Sequence, residues 1–240
     1  MRFADEVKML DRALAIKPDE IALRLSRARS EVTWHANTRP LHDTIAAILA
    51  KNPADASAVA SAWLELSYLE RDPVATDQAL AALRAYNTNE SGANRSYREG
   101  GAALNHNDRA KAERLFRAVR PEQEKLAADA NSPSALSRLG FIDAVLGNKE
   151  EAIRQGLRAV ELCPVTRDQV ENGDRVLDLA IIYAWTGELS LACEVLEQGC
   201  QQPPYCSHVY FRLYPRWDPL RGYPRFEQLV ANIAASVGEK

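Results

Sequence analysis

The chain has 240 residues, 46% of them hydrophobic and only 7% aromatic, with a net charge of −3. That length allows a sizeable core or a row of repeated units, and abundant Ala and Leu with few β-branched runs favour helix over strand. The small charge, without a basic stripe interleaved with aromatics, gives no expectation of nucleic-acid binding. No run reaches membrane-spanning length, so no membrane insertion is expected.

The opening, MRFADEVKML, has neither the apolar stretch nor the small-residue cleavage site of a signal peptide, and a cytoplasmic location is the default expectation. Residues 4–53 read as divergent repeats. Ala4–Pro18 has Leu10, Ala13 and Pro18 spaced as in the second helix of a helical hairpin, yet no first helix precedes it. The chain is therefore expected either to continue a longer protein or to start on an atypical cap. A long helix is predicted over Asp19–Trp34, then a second helix over Leu41–Lys51, ending at Pro53.

Residues 56–130 read as degenerate repeats. Ala56–Arg71 forms a first helix, Asp72 and Pro73 turn the chain, and Pro73–Tyr86 returns with Ala79 and Leu83 facing inward. After a polar linker, Asn87–Ala93, Arg95–Leu104 is the next first helix, Asn107 and Asp108 the turn, and Ala112 and Phe116 mark the returning helix. Continued to Ala130, that helix contains Pro121, which predicts a kink or a break. The small residues then recur most clearly over 134–204. Leu136, Leu139, Gly140, Gly147, Ala152, Ala159 and Pro164 are matched by Val176, Leu179, Ala180, Gly187, Ala192, Gly199 and Pro204. Gly140 and Ala180 are expected where paired helices approach, and Gly147 and Gly187 at turns that favour a residue without a Cβ. Ala79, Ala112, Ala152 and Ala192 are separated by 33, 40 and 40 residues, with lengthened helices and a loop over Val165–Gly173 accounting for the wider intervals.

This pattern resembles the tetratricopeptide repeat, a helix–turn–helix unit with a period of about 34 residues. Trp63, Leu66 and Ser67 occupy the W-x2-L-G positions of that repeat. The tail, Trp217-Asp218-Pro219-Leu220-Arg221-Gly222-Tyr223-Pro224-Arg225-Phe226, resembles the W-D-P-L-R-x-D-P-R-F string that closes bacterial tetratricopeptide regions attached to serine/threonine kinases or transcriptional regulators. Tyr223 stands where that string has an acidic residue. The H-R-D and D-F-G strings of a kinase are missing from this sequence. Residues 206–236 are expected to form a C-terminal cap. There Asp218 would cap a helix with Pro219 at its first position, and Tyr223–Pro224 would open the last helix. Trp217, Leu220, Phe226, Leu229, Val230 and Ile233 would cover the apolar edge. Arg216, Arg221 and Arg225 either drape over that cap or bind an anionic partner.

Residue constellations for chemistry are weak. His35 and His42 flank Arg39 and Asp43, but Pro40 interrupts a shared helix face, so surface or packing histidines are expected. His106 and His208 stand alone. The four cysteines, Cys163, Cys193, Cys200 and Cys206, include no C-x2-C pair, so no zinc site or disulfide framework is signalled. Cys193 and Cys200, seven apart on one helix, lie about 10 Å apart along its axis and cannot bridge. Pairing of Cys200 or Cys206 with another cysteine stays open. No metal and no cofactor are expected.

The expected fold is an all-α, right-handed superhelical solenoid of antiparallel helix pairs over residues 1–240 with a C-terminal capping helix. In tetratricopeptide arrays the first helices line a concave face. The resemblance places Ser61, Leu64, Tyr68 and Arg71 there, then Asn94, Tyr97, Gly101 and Leu104, then Ser134, Ser137, Phe141 and Ala144, then Asp174, Leu177, Ile181 and Ala184. Of these, Leu64, Tyr68, Arg71, Tyr97, Phe141, Leu177 and Ile181 are the candidate ligand contacts, or else pack between neighbouring helices. The Lys/Asn/Arg clamp with which some members hold a peptide carboxylate is missing from these positions. The implied function is a non-catalytic protein–protein interaction scaffold, not an enzyme. It would be the regulatory or sensory C-terminal region of a larger bacterial signalling protein, holding a partner peptide or helix in its groove. The alternative is a small-molecule sensor with a pocket lined by Tyr68, Arg71, Tyr97 and Phe141.

Overall fold

Alternating apolar faces and repeated turn chemistry set the elements. The computed structural model describes residues 3–130, 132–164, 169–200 and 207–238. Its helices are α1 (Phe3–Ile16), α2 (Ile21–His35), α3 (Arg39–Lys51), α4 (Ala56–Leu69), α5 (Pro73–Tyr86), α6 (Gly92–Asn105) and α7 (Arg109–Ala130). They continue as α8 (Pro133–Leu146), α9 (Lys149–Leu162), α10 (Gln169–Trp185), α11 (Leu189–Gly199), α12 (His208–Leu213) and α13 (Pro224–Gly238), with 3-10 turns at Pro53–Asp55 and Pro215–Leu220. The described residues contain no strand. Pro204, Cys206 and residues 165–168 of the expected loop lie outside them. No helix among the described residues is long and apolar enough to cross a membrane.

Helices adjacent in sequence pack in pairs: α2 with α3, α4 with α5, α6 with α7, α8 with α9 and α10 with α11. Four of these pairs share one turn. A residue in the left-handed region ends the first helix: Arg71 (φ 55°), Asn107 (φ 58°), Gly147 (φ 85°) and Gly187 (φ 82°). The next N–H then reaches back five residues, from Asp72 to Ser67, Asp108 to Ala103, Asn148 to Asp143 and Glu188 to Tyr183, at 2.8–2.9 Å. This satisfies carbonyls that a helix end otherwise leaves unpaired. Asp72 and Asp108 add caps, accepting from the N–H groups of Ala75 and Lys111, each at 3.0 Å. Helix α7 runs across Pro121 without a break. Pro121 and Arg117, whose carbonyl loses its donor, are both exposed, so water can satisfy that group.

The pairs fall into two compact units. The first holds residues up to Glu90 together with His208–Tyr214, so α12 belongs to it. Its core gathers Leu25, Val32, Leu41, Ile45, Ile48, Val59, Leu66 and Val209. The second runs from Ser91 to Ser207 and resumes at Pro215. Its largest fully buried side chains include Phe116, Ile142, Ile182, Leu196, Leu220 and Phe226.

Within the second unit one buried carboxylate joins three helices. Asp143 of α8, fully inaccessible, accepts Arg120 Nε at 2.7 Å and Arg120 Nη2 at 3.1 Å from α7. It also accepts Asn148 Nδ2 at 2.7 Å and, from α9, Gln155 Nε2 at 3.1 Å. At the C-terminus Trp217 stacks on Phe226, with ring centroids 6.3 Å apart, and Arg225 grips Glu197 of α11 with two 2.7 Å hydrogen bonds. Pro224 opens α13 as expected. Asp218 does not cap a helix at Pro219: both lie inside the 3-10 turn, and the carboxylate accepts Arg221 Nε at 2.6 Å instead. Pro219 has no N–H to return to the Arg216 carbonyl, which accepts the Trp185 indole N–H at 3.0 Å instead.

Small residues mark the closest approaches. A Cβ on Gly140 would lie 2.8 Å from Ile182 Cδ1 and 3.0 Å from the Ala152 carbonyl oxygen, whereas one on Gly101 would meet nothing within 4 Å. Gly140→Ala is expected to destabilise the protein by about 1–3 kcal/mol through overpacking. Gly101→Ala is expected to stabilise it by about 0.5–1 kcal/mol through reduced chain entropy within a helix. Thermal unfolding followed by circular dichroism compares the two, and equal shifts would refute close packing at Gly140.

Candidate binding surface

The first helices of the pairs present apolar faces, and in each unit the chain covers that face with its own C-terminal stretch. In the first unit α12 packs on α2 and α4. Val209 and Phe211 are buried, and the Tyr214 ring meets Tyr68 edge-on at 6.0 Å between centroids. The Tyr210 hydroxyl donates to Glu65, which Arg29 also holds through a 2.8 Å ion pair. Burial and the adjacent Glu65 carboxylate push the Tyr210 hydroxyl well above the ordinary phenol range, so it remains a donor at neutral pH.

In the second unit the turn Pro215–Leu220 packs on α6 and α10, and its Arg216 reaches α8. Four rings form a connected cluster beneath it. Tyr97 lies 5.9 Å from Phe116 and 6.4 Å from Phe141, Phe116 lies 6.0 Å from Phe141, and Phe141 lies 5.9 Å from Trp185. The Arg216 guanidinium sits over the Phe141 face, 5.2 Å from its centroid, and Arg138 sits over Tyr97 at 5.6 Å. Trp185 Nε1–H donates to the main-chain oxygen of Arg216 at 3.0 Å. Asp178 of α10 pairs with Arg175 at 3.3 Å and also feels the charge of Arg216. Burial nevertheless raises the Asp178 carboxyl above the ordinary range, opposed by Arg175, Arg216 and the Ser137 hydroxyl. Burial likewise raises the Tyr97 hydroxyl, opposed chiefly by Arg216.

The seven candidate contacts divide between the units. Leu64 and Tyr68 are buried in the first, and Arg71 is exposed there at the left-handed end of α4. In the second, Phe141 and Ile181 are buried while Tyr97 and Leu177 are half-buried. Tyr97 and Phe141 meet as rings. Sequence reasoning passed over Trp185, Asp178 and Arg216 as contacts on this face. Trp185 follows directly on Ala184, the last position assigned to the groove, so an aromatic at the end of that helix was an available signal. All three tail arginines have intramolecular partners: Arg216 on Phe141, Arg221 on Asp218 and Arg225 on Glu197.

A cavity of about 440 Å³ in the first unit is lined by Leu14, Arg24, Arg27, Ala28, Glu31, Pro40 and Thr44, none of them a residue of the expected sensor pocket. Its Arg27 is held by Asp11 at 2.8 Å and Glu31 at 2.7 Å. His35 lies 3.8 Å from Glu31, and His42 Nδ1 lies 3.1 Å from Glu70. No group of three or more His, Cys, Asp or Glu among the described residues is placed to hold a metal ion. Cys163 and Cys193 are free and buried, whereas Cys200 is disulfide-bonded, a pairing the sequence left open. The chain matches no protein-family model, no curated protein and no solved structure.

His208 is buried in the first unit, and burial followed by the charge of Arg212 lowers its affinity for a proton below the ordinary value of 6.5. The unfolded chain then binds the extra proton first, so stability is present above that value and declines as pH falls through it toward the lower folded value. Between about pH 7.5 and about pH 5.5 the native chain should lose more thermal stability than His208→Gln, measured by circular dichroism. Parallel losses in both proteins would exclude His208 as the source.

Proposed function

We propose that this chain is a non-catalytic interaction module built from stacked helical hairpins of tetratricopeptide type. Its ligand is a short peptide segment, received on the first-helix face of the second unit. The observation that carries this reading is the way that face already holds Pro215–Leu220. The Phe141 ring takes the Arg216 side chain, and the Trp185 indole N–H takes its main-chain oxygen, a mode that recognises peptide as such. The four matching turns support the repeat, because equivalent geometry at positions 71, 107, 147 and 187 is what a row of equivalent hairpins produces. The tail's likeness to closing segments of bacterial signalling arrays supports a regulatory setting.

Phage-displayed peptides selected against the full chain test this reading. Selected peptides should shift the Trp185 indole resonance and bind about tenfold more weakly to Trp185→Phe, which keeps a ring but removes the N–H donor, a loss of about 1.4 kcal/mol. Phenylalanine keeps an aromatic ring at half-buried Trp185, so this change largely spares the core, whereas alanine at buried Phe141 would cost about 3–5 kcal/mol of stability. Peptides that shift only resonances elsewhere would overturn the reading. Failure to select any peptide, together with a metabolite that raises the melting temperature, would favour the sensor instead.

A further inference from the structure

We propose that the cluster around Arg216 is a guanidinium-binding site, occupied in cis by Arg216, and that the partner segment presents an arginine side chain to it. The identity of the partner rests on the reading above; the guanidinium site stands on its own geometry. The Phe141 ring offers a flat face 5.2 Å from the guanidinium carbon. The Asp178 carboxyl on α10 and the Tyr97 hydroxyl on α6 both feel the charge of Arg216. A planar, delocalised cation can lie over the Phe141 face with its edge left free to donate, which a compact, strongly hydrated ammonium cannot do.

Two features make the site exchangeable. Arg216, Tyr97, Trp185 and Asp178 are all only half-buried, so the cage is open to solvent on one side. The segment that carries Arg216 is anchored by other side chains, Trp217 at 4% and Leu220 at 0% exposure. The guanidinium can therefore leave Phe141 while its backbone stays in place. An incoming arginine would meet the same ring and the same carboxylate, and its apparent affinity would be reduced by the fraction of time Arg216 fills the cage.

The test uses the full chain and the probe N-acetyl-arginine methylamide, titrated calorimetrically into the native protein and into Arg216→Ala. The expected result is binding to the variant at least about tenfold tighter than to the native chain, with a rise in the variant's melting temperature. The citrulline analogue, equal in shape but uncharged, should give neither effect. Should Arg216→Ala lose its helical circular dichroism, Arg216→Gln, which keeps an amide over the ring, is titrated in the same way. Equal affinity for native and variant proteins, or equal binding of the citrulline analogue, would overturn the proposal. If selected peptides bind the first-helix face but lack arginine, this inference fails and the peptide-binding reading stands. If the arginine probe binds Arg216→Ala but no peptide is selected, the guanidinium site stands without that reading.

Discussion

A helical hairpin can bury only part of its apolar surface against its own partner and its neighbours, and the face left over must be taken out of water by something else. That constraint governs this chain. Each unit's first-helix face is covered by residues that lie far along the sequence, α12 in one and Pro215–Leu220 in the other. Val209, Phe211, Trp217 and Leu220 are the side chains that do most of this covering. Each such burial stabilises by roughly 1.5–3 kcal/mol, more than a residue's backbone ordering costs at about 1–2 kcal/mol. The C-terminal stretch is thus part of both cores.

Beneath that cover, the second unit is locked by a polar device. Asp143 has no access to water, and an isolated carboxylate there would be expensive. Four donors, from Arg120, Asn148 and Gln155, saturate its two oxygens. Because Arg120 comes from α7 and Gln155 from α9, the carboxylate fixes how α8 sits against the hairpin before it and against its own partner. Gly140, one turn earlier on α8, then allows the backbone of α9 to come within contact distance. A polar anchor and a close apolar approach on one helix specify its packing more narrowly than either alone.

The hairpins were legible in the sequence because their determinants are local. Gly147 and Gly187 stand at left-handed turn positions, Pro73 and Pro224 open helices, and Ala79, Ala112, Ala152 and Ala192 are completely buried. Arg71 and Asn107 take the same left-handed conformation without being glycine, and those two turns were legible instead from the residues beside them, Asp72–Pro73 and Asn107–Asp108. The return of the chain was not legible at all. Tyr210 meets Glu65 across 145 residues, and no periodicity encodes a contact of that range. Asp218-Pro219 read as a helix start because cap and proline are a sound local signal, but burial of Trp217 and Leu220 on either side draws the segment into a tight turn. Arg216 was read as a stem draped over an apolar surface. It does lie over Phe141, yet its importance depends on Asp178 and Tyr97, supplied by two other helices.

The two covered faces differ in how they are held. On the first unit the Tyr210 hydroxyl is a buried donor to a carboxylate that already pairs with Arg29, while Val209 and Phe211 fill the core around it. Withdrawing that segment would strand Glu65 and Tyr210 without their shared hydrogen bond, a cost that rises steeply in a low-dielectric setting. On the second unit the contact that faces solvent is a cation over a ring beside an acid, made by a flexible side chain whose segment is anchored elsewhere. Replacing that guanidinium with another leaves the ring stacked and the acid neutralised. Only the side chain exchanges, so Trp217 and Leu220 stay buried and nothing that holds the unit together unfolds.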